Sequence, residues 1–161
     1  DPSVDWVQDF VADSGRVSFS VHLDGAYVKV KAAEEDGMTP GQWHHVAGVF
    51  DGEEVRLYLD GKLVARAPAS GPRTPNQLPL IVGGDVQSSG GATSTLSGEI
   101  DEVRLSKGAR YLGREFTPQR RHAPDAQTVL LLPMDGVLGP YLRGAQAAGA
   151  TMAAGARLIL E

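Results

Sequence analysis

The sequence predicts an all-β protein whose antiparallel strands pack as a two-sheet sandwich, with few or no helices. Apolar and polar residues alternate with a period of two along several short runs, which is typical of strands with one buried face. Asp-Gly pairs stand between such runs at 24–25 and 60–61, where two-residue hairpin turns are expected. Strands spaced so closely, with Gly, Pro and Asp at the turns, favour a sandwich.

The strands follow from this alternation in chain order. Residues 4–12 fit either a strand or a short helix, and residues 157–160 fit a final strand. The prolines between residues 68 and 79 indicate a loop or an edge crossing, because proline lacks the donor that a central strand needs. The clear strand runs are 16–23, 26–32, 43–50, 55–59, 62–65, 80–82, 96–106 and 128–136.

Composition narrows the classes of partner. The formal charge of −5 and the dispersed basic residues argue against nucleic acid, which requires a concentrated basic face. The longest apolar run, residues 129–132, is far shorter than the roughly 18 residues of a membrane span. The chain has no cysteine and therefore no disulfide. It starts at Asp1 without a methionine or a signal peptide, so we expect a processed form or a piece of a larger protein.

Four blocks of sequence carry a resemblance to a known family. In order and spacing they resemble the laminin G-like (LamG), concanavalin A-like jelly-roll domains of bacterial surface and secreted proteins, over roughly residues 16–121. The resemblance implies two curved antiparallel sheets packed face to face, in a usually non-catalytic module of a multidomain protein. The blocks are GQWHHVAGVFDG at 41–52, LYLDGKLVA at 57–65, IVGGD at 81–85 and LSGEIDEVRLSKGARY at 96–111.

The resemblance also shapes the expected domain organisation. Residues 1–126 would form the jelly-roll core, with one or two further strands expected before residue 1. Residues 127–161 form a strand-like tail that is similar to the opening strands of the family. The tail either begins a second repeat or supplies strands to this domain or to a neighbour. We favour packing in the same sandwich, because an exposed strand of buried character invites edge pairing.

The acidic run Glu99-Ile100-Asp101-Glu102 is the sharpest candidate for chemistry. Glycosidases of the concanavalin A-like fold place Glu-x-Asp-x-Glu or Glu-x-Asp-x-x-Glu on one strand, since hydrolysis requires two carboxyl groups flanking the scissile bond. Here the third acidic position falls on Val103 or Arg104. The acid/base partner is therefore missing, and the sequence predicts a protein that is not an enzyme.

Asp101 has a second interpretation as a metal ligand. In an uninterrupted strand Asp101 would share a face with Val103 and Leu105, while Ile100 would point the other way. Either a bulge switches the register or Asp101 faces the core, where a carboxylate must be paired, hydrogen-bonded or metal-bound. The resemblance implies a structural calcium ion, with Asp85 as a second oxygen ligand. The alternative is that Asp101 accepts backbone or Arg hydrogen bonds within a turn.

The residues of the predicted strands between 43 and 65 are expected to be structural or to form a binding face. His44 and His45 would point to opposite faces of a strand, so they cannot share one ion, and we expect both to pack. Trp43 is expected in the core. Tyr58 lies on the polar face of its strand with Arg56 and Asp60, which predicts an exposed ligand-binding group, although cross-strand pairing explains the three residues equally.

These observations predict a non-catalytic recognition or structural assembly module of a larger extracytoplasmic protein, secreted, periplasmic or on the cell surface. Its expected partners are other protein subunits or domains, because no aromatic platform for a sugar is evident. The alternative is a carbohydrate-binding, lectin-like module that depends on calcium. Function is expected on loops such as residues 83–95.

Overall fold

The computed structural model describes residues 8–13, 15–74, 77–94, 96–134 and 141–142. The strand predicted at 157–160 lies outside these ranges. All strand pairs within them are antiparallel and none of these residues is helical, so the all-β prediction is confirmed. The strands are β1 (Gln8–Asp13), β2 (Arg16–Leu23), β3 (Ala26–Lys31), β4 (Val46–Phe50), β5 (Glu54–Leu59), β6 (Lys62–Pro68), β7 (Asp85–Val86), β8 (Ala92–Thr93), β9 (Val103–Ser106), β10 (Thr128–Leu132) and β11 (Tyr141–Leu142).

The chain divides into two compact units. Among the described residues, the first unit holds 8–74 and 108–118, and the second holds 77–107, 119–134 and 141–142. The predicted division of the chain after residue 126 stays a prediction, as does the full jelly-roll connectivity.

Two three-stranded sheets make up the first unit, in the orders β1-β2-β3 and β4-β5-β6. The β2–β3 hairpin turns at Asp24 and Gly25, with φ of 47° and 81°, and the β5–β6 hairpin turns at Asp60 and Gly61, with φ of 50° and 81°. Positive φ at both central residues is what a type I′ turn requires. Both Asp-Gly turns predicted from the sequence are therefore present.

The core of the first unit lies between these sheets. As the alternation predicts, the apolar face of β2 packs in the core together with the apolar face of β5; Ser18 and Ser20 on the other face of β2 are buried too. Each such apolar side chain contributes about 1.5–3 kcal/mol by leaving water. The members of the cluster from these strands and β3 are Val17, Phe19, Val21, Leu23, Val30, Val55, Leu57 and Leu59, all between 0% and 7% exposed.

Gly48 in β4 permits close contact between the two sheets. A Cβ atom at this position would lie 2.4 Å from Cδ2 of Phe19, whose side chain is fully buried. Real Cβ atoms do not approach a ring carbon this closely, so the Phe19 ring occupies the space that a side chain at Gly48 would need.

The second unit contains the sheet β11-β10-β9 and the separate pair β7-β8. Leu131 and Leu132 of β10 pair with Arg104 and Val103 of β9. The side chains of Val129, Leu130 and Leu131 are buried. The first strand of the predicted tail therefore pairs with an earlier strand of its own chain.

The prediction that a strand begins at Trp43 is wrong. β4 begins only at Val46, and the Trp43 side chain is 65% exposed instead of lying in the core. Residues 39–42 form a turn in which the Gln42 N–H donates to the Thr39 carbonyl at 3.3 Å and Gly41 has a φ of 80°. Pro40 and Gly41 suit the two central positions of a type II turn, which delays the strand.

The Phe19–Gly48 contact predicts that Gly48→Ala destabilises the protein. The added methyl group must displace the Phe19 ring, and overpacking of this kind costs about 1–3 kcal/mol. Chemical denaturation measures the change in the free energy of unfolding. Gly98→Ala is the matched control, because its new Cβ meets only Leu96 side-chain atoms, the nearest at 3.6 Å. Equal stabilities of the two variants would contradict this account of the core.

Candidate functional site

Tyr58 lies on the predicted face of β5 but is completely buried. It is opposite in parity to Leu57 and Leu59, which belong to the core between the sheets. The Tyr58 ring meets those of Phe116 and Tyr111 edge to face, at centroid distances of 5.4 and 6.1 Å. The prediction that Tyr58 is exposed is therefore wrong, because aromatic residues from a distant part of the chain cover this face.

The Tyr58 hydroxyl is also engaged. It donates to the carbonyl oxygens of Gly113 at 2.8 Å and Tyr111 at 3.1 Å. Burial raises the pKa of Tyr58. The phenol thus binds the backbone of the covering segment and has no face turned to solvent.

We call residues 108–118 the covering segment. The Leu63 N–H donates to the Arg114 carbonyl at 2.9 Å, and the Phe116 N–H donates to the Gly61 carbonyl at 2.8 Å. The segment therefore pairs in antiparallel fashion with the start of β6. Its Tyr111 and Phe116 rings stack with a centroid distance of 3.6 Å. Hydrogen bonds and ring contacts together fix the segment over Tyr58.

Asp60 holds the end of the β5–β6 hairpin to the chain before β4. Its Oδ2 lies 2.7 Å from Nδ1 of His44, and its Oδ1 accepts the His45 N–H at 2.8 Å. Burial favours a higher pKa for Asp60, but the hydrogen bonds from His44 and His45 outweigh burial and lower it. Asp60 therefore acts as an anchor within the scaffold.

The two histidines serve different contacts, in line with the prediction that they do not share an ion. The His44 ring bridges Asp60 and the Thr39 backbone, whose N–H lies 2.9 Å from Nε2. The His45 ring packs edge to face on Phe116 at 5.5 Å and Tyr111 at 6.5 Å. Both rings thus contact neighbouring parts of the first unit.

Arg56 is only 14% exposed and is ion-paired on its own side of the sheet. Its guanidinium contacts Asp51 Oδ2 at 2.6 Å and Glu54 Oε2 at 2.7 Å. A hydrogen bond from the Glu53 N–H, with others from Glu54 and Arg56, lowers the pKa of Asp51 to about 2 against the opposing effect of burial. Tyr58, Arg56 and Asp60 thus each have a structural partner, which supports a scaffold role for all three residues.

Asp101 lies outside any strand and is exposed. β9 begins only at Val103, and Glu102 before it has a φ of 53°, so the chain turns at Glu102. This turn removes the register conflict, and the expectation of a core-facing Asp101 is wrong. Because Glu99 and Asp101 lie outside a strand, the acidic run does not form the one-strand arrangement of glycosidase carboxylates.

Glu102 is the buried carboxylate that sequence reasoning missed. Its side chain is 8% exposed, and its Oε2 accepts the His122 N–H at 2.9 Å while Oε1 lies 3.4 Å from Arg121 Nη1. The pairing supplies the hydrogen bonds that a buried carboxylate requires. No local signal indicated it, because the partners are about 20 residues away in sequence.

The proposed calcium ligands each make a local hydrogen bond. Asp101 Oδ1 accepts the Glu102 N–H at 3.0 Å, and Asp85 Oδ1 accepts the Val86 N–H at 2.8 Å. Within the described ranges, no group of three or more His, Asp or Glu side chains is placed to hold a metal ion. The calcium site at Asp85 and Asp101 stays a prediction, and we derive no function through it.

Trp43 and Leu112 are the two most exposed large apolar side chains among the described residues of the first unit; we call these two residues the Trp43 surface. They are 65% and 63% exposed. Trp43 lies two residues before His45, and Leu112 directly follows Tyr111, so the His45–Tyr111 contact brings their chain segments together. Exposed apolar residues that lie together mark interaction sites, whereas singly scattered ones are normal on a protein surface.

Tyr27 is a second exposed aromatic, on the outer face of the first sheet. It is 61% exposed and stands edge to face on His22 of the neighbouring strand, with ring centroids 4.6 Å apart. The register of β2 and β3 places the two residues directly opposite each other. More than half of the Tyr27 side chain is therefore accessible to solvent beside His22.

A laminin G family model, described as the concanavalin A-like lectin/glucanases superfamily, matches residues 4–111. The chain belongs to this superfamily. Laminin G-like domains generally bind proteins or glycans, are generally non-catalytic and typically occur in extracellular proteins. No curated protein and no solved structure matches the chain.

The match begins before residue 16 and ends at Tyr111, so it includes only the first part of the covering segment. Among the residues that the structure describes, none belongs to a helix with the length and apolar character of a membrane span.

The hydroxyl contacts of Tyr58 predict that Tyr58→Phe weakens the fold although it keeps the ring. Two carbonyls lose their donor, and a lost buried hydrogen bond costs about 1–2 kcal/mol. Urea unfolding measures the loss, and amide exchange at Leu63 and Phe116 shows whether the covering segment loosens. Tyr27→Phe, which changes an exposed hydroxyl, should leave stability unchanged. A Tyr58→Phe protein as stable as the Tyr27→Phe control would contradict the structural role.

The lowered pKa of Asp51 predicts that acid reduces the stability of the folded protein through this group. Its pKa is lowered to about 2 in the folded protein from an ordinary value of 3.8, so its stabilising effect is complete above pH 3.8 and is lost as pH falls through 2. Because the group is near solvent, we expect Asp51→Asn to cost only about 1 kcal/mol near neutral pH. The variant should also show a shallower loss of unfolding free energy between these pH values. Asp36→Asn, at an exposed loop carboxylate, should retain the wild-type slope.

Proposed function

We propose that this chain is a non-catalytic recognition or structural assembly module of a larger extracytoplasmic protein, and that it binds a protein partner through the Trp43 surface. The observation that carries the proposal is Trp43, 65% exposed on a segment whose neighbours are held in place. Family membership supports a binding or structural role in general.

The backbone on both sides of Trp43 is fixed. The turn at residues 39–42 precedes it, and His44, which follows it, contacts Asp60 and Thr39 through its two ring nitrogens. A side chain presented on an ordered backbone loses less conformational entropy when a partner binds. Trp43 is therefore preorganised for recognition.

The composition of the surface suits a protein partner. Tryptophan is enriched among the residues that dominate binding energy, because its large flat ring buries much area and its N–H retains a hydrogen bond. Leu112, on the segment that the His45–Tyr111 contact brings towards the chain around Trp43, is also exposed. Gln42 and Arg114, which are polar and lie within two residues of Trp43 and Leu112 in sequence, are exposed. An apolar centre with a polar rim is typical of protein interfaces.

A carbohydrate-binding, lectin-like function is the alternative, and Tyr27 is the observation that favours it. Its exposed ring beside His22 could stack on a sugar, as aromatic faces do in many binding sites. Calcium dependence belongs to this alternative. Thermal melts with added calcium and with EDTA test it, and identical melting temperatures would remove the metal from the proposal.

Partner capture with matched variants tests the proposed function. The wild-type chain is used to recover binding proteins from the extracellular fraction of its source. One recovered protein is then purified and titrated against each variant. Trp43→Ala should weaken that binding at least about thirtyfold, as loss of a dominant interface side chain does. Tyr27→Ala should bind like the wild type, and both variants should unfold at the wild-type denaturant concentration.

A glycan array tests the carbohydrate-binding alternative. Reproducible sugar binding that is lost in Tyr27→Ala and kept in Trp43→Ala would establish the lectin alternative. Equal affinity of the wild type and Trp43→Ala for the purified partner would contradict binding through the Trp43 surface.

A further inference from the structure

The His44 ring lies between a carboxylate and the backbone of the turn that precedes Trp43. Nδ1 is 2.7 Å from Asp60 Oδ2, and Nε2 is 2.9 Å from the Thr39 backbone nitrogen. Because a backbone N–H can only donate, Nε2 must present a lone pair to it. The hydrogen of the neutral ring therefore sits on Nδ1 and is donated to Asp60.

The same turn residue also offers an acceptor to this ring. Nε2 lies 3.3 Å from the Thr39 carbonyl oxygen, which accepts the Gln42 N–H at 3.3 Å and so closes the turn. Thr39 thus presents both a donor and an acceptor to one ring nitrogen. Which of the two contacts is satisfied depends on whether Nε2 carries a hydrogen.

We propose that protonation of His44 is a switch that rearranges the Thr39–Gln42 turn and changes how Trp43 is presented. A proton on Nε2 turns that atom into a donor, so the Thr39 N–H loses its acceptor and faces another N–H group. The new Nε2–H donates to the Thr39 carbonyl instead and competes there with the Gln42 N–H. The turn, whose closing hydrogen bond is already long, is loosened next to Trp43.

The ring itself stays in place during this exchange. Protonation converts the Nδ1–Asp60 hydrogen bond into an ion pair, which is the stronger contact of the two. Asp60 is also held by the His45 N–H at 2.8 Å. The backbone of the turn is therefore the part that moves, and the hairpin end is the part that is fixed.

The charged group in direct contact with the His44 ring is Asp60 of the β5–β6 turn. His45 interacts electrostatically with the same carboxylate. Residues 38–42 contribute no titratable side chain. Histidine is the side chain that most readily gains or loses a proton near neutral pH.

The effect on partner binding rests on the function proposed above, whereas the switch itself does not. If Trp43 binds no partner, the turn still responds to pH, and the two proposals can fail independently. The test therefore uses the chain without any partner.

Nuclear magnetic resonance of the wild-type chain measures the switch directly. At pH 8, ring nitrogen shifts should show His44 as the neutral Nδ1–H tautomer. As His44 titrates, the protection factor of the Thr39 amide against hydrogen exchange, corrected for the intrinsic effect of pH, should fall about fivefold, the factor expected for one lost hydrogen bond. The Gln42 and Trp43 amide shifts should move with the same midpoint.

His44→Gln removes the titrating ring, and the Thr39, Gln42 and Trp43 amides should then show no shared midpoint. His22→Gln is the matched control, since His22 packs on Tyr27 at the other sheet and should leave the response unchanged. A His44 ring protonated on Nε2 at pH 8, a Thr39 protection factor that ignores the His44 titration, or a response that persists in His44→Gln would overturn the proposal.

Discussion

The outer face of the β4-β5-β6 sheet depends on one contact, which the covering segment makes with the β5–β6 turn. A Cβ atom at Gly61 would lie 2.1 Å from the Phe116 carbonyl oxygen and 2.9 Å from Cδ of Pro118. Gly61 also has a φ of 81°, so both the turn and the close approach require glycine. Pairing of the segment with Gly61 and Leu63 places the Tyr111 and Phe116 rings over Tyr58, which removes Tyr58 from solvent.

In the first unit, the residues that hold the fold together are thus distinct from the residue that is exposed for binding. Arg56, Tyr58 and Asp60 hold turns and the covering segment, and His45 completes the aromatic cluster around Tyr58. Trp43 follows the turn at residues 39–42, lies outside β4 and is exposed. The polar residues that first suggested a ligand site thus fix the fold. The apolar residue that first suggested a core position is the better candidate for binding.

Local patterns predicted the features that depend on local chemistry. The alternation in residues 16–23 and 55–59 predicted which side chains share a face, and both Asp-Gly turns have the expected backbone angles. The apolar character of residues 129–132 predicted a buried strand, and its pairing with β9 satisfies that expectation. In each case the residues that decide the structure are neighbours in sequence.

The wrong predictions have two causes. Contacts between residues distant in sequence bury side chains that look exposed, and turns shorten strands that the alternation extends too far. Tyr58 has the parity of an exposed residue, and only the covering segment, more than 50 positions later, buries it. The Pro40-Gly41 pair is a turn signal that could have placed Trp43 outside the strand. The left-handed backbone at Glu102 carries no such signal, because glutamate rarely adopts it.

A comparison of Gly61→Ala with Gly25→Ala tests the central role of the covering segment most directly. Both glycines follow an aspartate in a hairpin turn and both have a φ of 81°, but a Cβ atom at Gly25 meets nothing within 4 Å. Gly25→Ala should therefore cost only the left-handed backbone strain, about 1–2 kcal/mol of unfolding free energy. Gly61→Ala should cost clearly more and should lower the pKa of Tyr58 toward its ordinary value as the segment lifts. Equal losses of stability, with Tyr58 still buried, would contradict this account.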